Sequence, residues 1–217
     1  MTSLIDLSHP VVSGMTTYPG LPGPEIGAFL SREDSRDHYD PGTEFLIGII
    51  EMVGNTGTYL DTPFHRFADG YDLATLDLKS VAGVPGICLR VDVEEINSDH
   101  VADLDVAGKA LLLATGWDRH WGTDAYGDPA HPFLNAEAAE LLVSNGVTLV
   151  GIDSVNIDDT RGGSRPAHTN LLAAGVPVVE HLTGLEGLEG KSFRFYAIPP
   201  PVRDFGTFPV RAFAELD

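Results

Sequence analysis

Apolar runs rich in β-branched residues recur along the chain at positions 45–53, 86–93, 110–115, 147–152, 176–180 and 209–214. Each is too short for a core helix. The continuous stretches at 111–115 (LLLAT) and 147–152 (VTLVGI) predict strands covered on both faces. Helical spacing is clearest over 135–145, where Asn135 can cap, Ala138, Leu141 and Leu142 share a face, and Gly146 ends the run. A shorter helix is predicted over 167–174, closing at Gly175. Strand–helix–strand alternation in the second half predicts α/β structure with some parallel pairing, whereas the first half reads as β with loops. Two Gly/Pro-rich stretches, 18–24 and 162–166, are turns and not domain linkers, because the apolar runs on either side need one another to build a core. The expectation is a single domain over 1–217, a mixed β-sheet with flanking helices.

Composition narrows the function classes. Of the 217 residues, 43% are hydrophobic and 21% charged, a globular balance. A chain of this length buries roughly 70% of its unfolded surface, so it needs neither metal nor disulfide merely to fold. Its 13 basic and 32 acidic residues leave a formal charge of −19, which argues against nucleic acid or an anionic membrane surface as a partner. Cys88 is the only cysteine, so an intrachain disulfide and a thiolate zinc finger are both excluded. The opening residues lack the basic and apolar regions of a signal peptide, and no apolar run approaches the ~20 residues of a membrane helix. A cytoplasmic location is expected.

Two segments concentrate useful chemistry. In the first, 54–66, Asp61 and His65 lie four apart around Pro63, in a stretch too broken by Gly and Pro for helix. A carboxylate and an imidazole on a rigid turn suit a metal ligand with its acid/base neighbour, or a structural cap with a satisfied histidine. The second runs from Asp153, at the end of a predicted buried strand, through His168 to Glu180. His168 and Glu180 can converge at one sheet edge, and an imidazole with a carboxylate suits Zn²⁺ or Mn²⁺. An ion pair of Arg161 or Arg165 with Asp153 or Asp158 is the plainer alternative. His38, His100, His120 and His131 read as solvated, and His181 as pointing away from Glu180 if the strand continues. Trp117 and Trp121 read as wall, Cys88 as a buried, inert thiol. Serine-hydrolase, P-loop and dinucleotide-binding motifs are absent from the sequence.

The segments Asp6-Leu7-Ser8-His9-Pro10, 14–20, 55–65, 151–153 and His168-x-x-Leu171-Leu172 leading to Glu180 resemble the cyclase/kynurenine formamidase family of metal-dependent hydrolases, which includes isatin hydrolases. The family signature His-x-Gly-Thr-His-x-Asp-x-Pro-x-His reads here Asn55-Thr56-Gly57-Thr58-Tyr59-Leu60-Asp61-Thr62-Pro63-Phe64-His65, so Asn55 and Tyr59 stand where the family has histidines. The resemblance implies a swivelling β/β/α fold and arylformamidase-like hydrolysis of an amide, lactam or lactone, of the kind found in tryptophan catabolism. It assigns Asp61, His168 and Glu180 as ligands of one divalent ion, Zn or Mn, and His65 as the proton donor and acceptor. Tyr59 becomes a candidate oxyanion donor, with Tyr18 and Asn55 as substrate contacts. A homodimer or homotetramer acting on a small molecule is implied. Two other readings stay open: a metal-free or single-metal cyclase or hydrolase on another carbonyl, and a binding protein that retains the fold.

Overall fold

A computed structural model describes residues 3–216. Its strands are β1 (Ser3–Asp6), β2 (Glu25–Leu30), β3 (Ile47–Glu51), β4 (Tyr59–Asp61), β5 (Ala82–Arg90), β6 (Glu95–Ile96), β7 (Ala110–Ala114), β8 (Phe133–Leu134), β9 (Leu149–Ile152), β10 (Val178–Glu180), β11 (Phe193–Tyr196), β12 (Thr207–Pro209) and β13 (Phe213–Leu216). The α-helices are α1 (Arg32–Ser35), α2 (Ser98–Val101), α3 (Ala136–Ser144) and α4 (Pro166–Ala173). Nine strands form one mixed sheet in the order β1-β13-β11-β5-β7-β9-β10-β4-β12. Pairing is parallel from β5 through β10 and antiparallel elsewhere.

The strand expected over 209–214 is instead two strands. β12 pairs with β4 at one end of the order, and β13 pairs with β1 and β11 at the other. Only Val210, Arg211 and Ala212 separate them, and a residue spans at most ~3.6 Å, so the two ends of the sheet must meet. The sheet is therefore curled. Val210 donates to the Thr58 carbonyl and Leu7 to the Ala212 carbonyl, which seals the seam.

Buried strand β7 shows why its sequence is uniformly apolar. Leu112 faces a core inside the curl with Leu60, Leu149, Val179 and Phe195, while Leu111 and Leu113 face a second core under α3 and α4. Both helices start and stop as their sequences predict. Asn135 accepts from the Ala138 amide at 2.9 Å, and Gly146 and Gly175 take the left-handed backbone that ends each helix.

The 45–53 run joins neither core. Among the described residues β3 pairs only with β2, as a two-stranded arm whose Ile26, Phe29, Ile47, Ile49 and Ile50 are all exposed, Phe29 at 76%.

Asp153 lies at a strand end as expected, but its carboxylate is consumed by structure. It accepts from the Thr115 amide at 2.9 Å, the Thr115 hydroxyl, and the Gly116 amide at 2.8 Å, clamping the turn after β7 to the end of β9. Burial outweighs those bonds and pushes its carboxyl up to about 6. Asp153→Asn sets an amide group against one of these N–H donors. It should lower stability by about 1–3 kcal/mol, the cost of a buried donor left unpaired, and chemical denaturation will read this as a lower midpoint at unchanged slope.

Candidate active site

Three adjacent strands at one end of the sheet set the site's floor. Directly paired residues share a sheet face, and so do residues two apart on a strand. Asp61 pairs with Thr207 on β12 and Val178 on β10, while Tyr59 pairs with Glu180. Tyr59, Asp61, Glu180 and Thr207 therefore project from one face. Local backbone makes the strand possible: Gly57 has φ 65°, a left-handed turn just before β4. The Thr58 hydroxyl then donates to the His181 carbonyl at 2.6 Å.

His168 reaches this floor from the first turn of α4. That helix has Pro166 at its first position and no side-chain cap of its own. Asp158 does the capping from a distance, accepting from the Ala167 amide at 2.6 Å and the His168 amide at 3.1 Å. The same carboxylate lies 2.6 Å from His168 Nδ1, so Nδ1–H donates to it and Nε2 is aimed at the floor. Neither plain ion-pair alternative is present. Arg161 pairs with Asp159 and Glu94, and Arg165 donates to the Asp159, Gly162 and Ser164 carbonyls.

The structure thus brings Asp61, His168 and Glu180 together, all buried, with one ligand atom from each within 4.8 Å of the others. His168 Nε2 is 3.5 Å from Asp61 Oδ2 and 3.6 Å from Glu180 Oε1. Both His168 Nε2 and Asp61 Oδ2 are buried and find no hydrogen-bond partner among the described residues. A lone pair facing carboxylate oxygens is repulsive, and a cation between them removes the conflict. The donor set of two carboxylates and one imidazole fits a divalent ion such as Zn²⁺ or Mn²⁺.

Electrostatics point the same way. Burial opposes charge on His168, but Glu180, Asp158 and Asp61 around it raise its pKa well above the usual imidazole value, so a proton fills the place a cation would take. Burial likewise pushes Glu180 up to about 7, and Asp61 adds to the rise. Burial also disfavours charge on Asp61, yet the nearby His168 and His65 imidazoles and the Thr207 hydroxyl hold it below the ordinary carboxylate value.

The other expected site residues line the cleft above. It has a volume of about 640 Å³, and Tyr18, Asn55, Tyr59, His65, His168 and Glu180 all border it. His65, on a tight turn over Pro63–His65, keeps a side chain 38% exposed. Tyr59 is placed differently from the expectation of a free donor. Its hydroxyl donates its single proton to Glu180 Oε2 at 2.6 Å, while the Ile157 amide donates to Oε1, also at 2.6 Å. Burial and Glu180 together hold the Tyr59 phenol well above its usual pKa, so the proton stays.

Two histidines depart from their sequence reading. His131 is fully buried, with Nδ1 at 3.0 Å from the Pro132 carbonyl and Nε2 at 3.0 Å from the Thr160 hydroxyl. His181 does not continue β10. It takes a left-handed φ of 57°, which swings its ring back beside Tyr59. Its Nδ1 lies 2.8 Å from the Tyr126 hydroxyl and its Nε2 3.3 Å from the Tyr59 hydroxyl, and burial lowers its pKa to about 3. A neutral ring then accepts from Tyr126, donates to Tyr59, and so supports the Tyr59–Glu180 bond. Asp158, His181 and Thr207 are the site residues that sequence reasoning missed.

Comparisons with known proteins agree with this architecture. The kynurenine formamidase of Bacillus cytotoxicus is 29% identical over 212 residues, covering 96% of this chain and 95% of that protein. The kynurenine formamidase of Bacillus mycoides is 27% identical over 209 residues, with the same coverage. Among solved structures, a potential metal-dependent hydrolase with cyclase activity matches with a TM-score of 0.81 at 23% identity, over 99% of this chain and 98% of that one. An isatin hydrolase bound to the product analogue thioisatinate also matches at 0.81, with 20% identity over 99% and 92% of the two chains. Residues 5–159 match the sequence profile described as Putative cyclase, and the chain belongs to that family.

Proposed function

We propose that this chain is a metal-dependent hydrolase of an amide, lactam or lactone bond, arylformamidase-like in its chemistry. The observation that carries the reading is the buried convergence of Asp61, His168 and Glu180 under an open cleft, with two unpartnered ligand atoms facing one point. The kynurenine formamidases it resembles along nearly its whole length supply the bond type.

Asp61, His168 and Glu180 would hold a single ion, Zn or Mn. The ion when bound supplies a Lewis acid for a carbonyl oxygen and lowers the pKa of water. His65 borders the same cleft beside Asp61, where its imidazole can take a proton from the attacking water and return it to the leaving nitrogen. Tyr18 and Asn55 are its substrate contacts. Tyr59 keeps Glu180 in place, and Asp158 does the same for His168.

The purified protein should contain about one equivalent of Zn or Mn and hydrolyse an N-formyl arylamine. Chelation should abolish that activity, and either ion should restore it. His65→Ala in the metal-loaded protein should cut kcat by ~10²–10⁴-fold, the usual scale for general acid–base catalysis. An unchanged kcat would remove His65 from the mechanism.

Tyr59→Phe separates two roles. A residue that orients a ligand should cost about 10–100-fold in metal affinity and leave kcat at saturating metal largely intact. An oxyanion donor would instead cost ~10²–10³-fold in kcat at unchanged affinity. The bond to Glu180 leads us to expect the first result.

We also propose a homo-oligomer, with the β2–β3 arm as its interface. An isolated two-stranded hairpin is marginal in water, and this one carries exposed isoleucines on both faces: Ile26 and Ile50 on one, Ile49 on the other. A second copy of the same arm offers matching apolar surface. Light scattering should give a multiple of the 23.2 kDa chain mass, and Ile49→Asp should shift it towards the monomer.

A further inference from the structure

The Thr207 hydroxyl touches both Asp61 and His65. It hydrogen-bonds to Asp61 Oδ1 and lies 2.7 Å from His65 Nδ1. A threonine hydroxyl has one proton to give. In that first bond the hydroxyl is the donor and the Asp61 oxygen the acceptor. The Thr207 proton therefore goes to Asp61, and towards His65 the same oxygen can only accept. His65 must then carry its proton on Nδ1, which leaves the Nε2 lone pair free.

The backbone secures this contact. Thr207 is directly paired with Asp61 across β12 and β4, and the Thr62 amide donates to the Gly206 carbonyl at 2.8 Å. A side chain at Gly206 would put Cβ 2.3 Å from the His65 backbone nitrogen and 2.6 Å from its Cα. Only glycine at 206 lets β12 close against the His65 turn. Thr207 itself is 5% exposed, so little water competes for its hydroxyl.

We propose that Thr207 is a positioning residue: its hydroxyl bridges Asp61 to His65 and selects the Nδ1–H tautomer, so that Nε2 is the atom that exchanges protons with substrate. The catalytic half of this statement rests on the hydrolase reading above; the tautomer does not. Free imidazole side chains in water carry no such constraint, since either ring nitrogen can hold the proton.

The test is ¹⁵N NMR of histidine-labelled, metal-free protein at a pH well above ~6.5, where an ordinary imidazole is neutral. His65, assigned with a His65→Gln control, should show a protonated Nδ1 and an unprotonated Nε2. Thr207→Ser should keep this pattern. Thr207→Val, which retains the branched shape and loses the hydroxyl, should abolish it. In the metal-loaded enzyme Thr207→Val should lower kcat about 10–100-fold, the scale for losing a supporting partner, and Thr207→Ser should recover most of it. An Nε2–H tautomer in the wild type, or an unchanged His65 pattern in Thr207→Val, overturns the proposal whatever the enzyme hydrolyses. The wild-type measurement does not need an active enzyme.

Discussion

Two buried carboxylates, Asp61 at 0% and Glu180 at 1% exposure, face one imidazole, and the surrounding structure is arranged around that confrontation. Each ion taken out of water costs several kcal/mol unless its oxygens are matched by donors. The chain provides those donors from distant segments. Thr207 serves Asp61, Tyr59 and the Ile157 amide serve Glu180, and Asp158 holds His168. What remains unmatched is one oxygen of Asp61 and one nitrogen of His168. Those two atoms are the ones turned towards each other.

The curl of the sheet makes this possible. From β12 at one edge the chain becomes β13, beside the other edge strand β1, within three residues, which brings the ends of a nine-stranded sheet together. Just before β12, Gly206 sits against the His65 backbone, where a side chain would have no room. Packing, register and the placement of His65 are one constraint seen three ways. The β2–β3 arm lies outside it, and its apolar residues join neither core among the described residues.

Much of the frame was legible from the chain. The uniformly apolar β7 and β9, the Asn135 cap and the Gly146 and Gly175 stops follow from local pattern and local chemistry. Asp61 and His65 stood out because a rigid turn separates them, and His168 and Glu180 because both fall at one predicted sheet edge; resemblance joined Asp61, His168 and Glu180 into one ligand set. The partners of those residues were not legible, because they arrive from far away: Thr207 meets Asp61 across 146 positions, and Tyr59 meets Glu180 across 121. No periodicity within a window carries such pairings. His181 was misread for a local reason, since strand alternation assumes an extended residue and its φ is 57°. Asp153 looked like a site residue because strand ends gather them, yet its oxygens are spent on Thr115 and Gly116.

The central claim is that this buried cluster is built for a cation, and thermal unfolding of chelated protein with and without added ion tests it most directly. Binding to the folded state alone stabilises by RT ln(1 + [L]/Kd), about 2.7 kcal/mol at a hundredfold excess over Kd. Zn²⁺ or Mn²⁺ should therefore raise the Tm of the metal-free chain, the rise growing with the logarithm of free ion above Kd. In Asp61→Asn/Glu180→Gln, which keeps the side-chain shapes and removes both charges, the same additions should leave Tm unmoved. A wild-type Tm indifferent to both ions, or a double variant stabilised as strongly as the wild type, would contradict it.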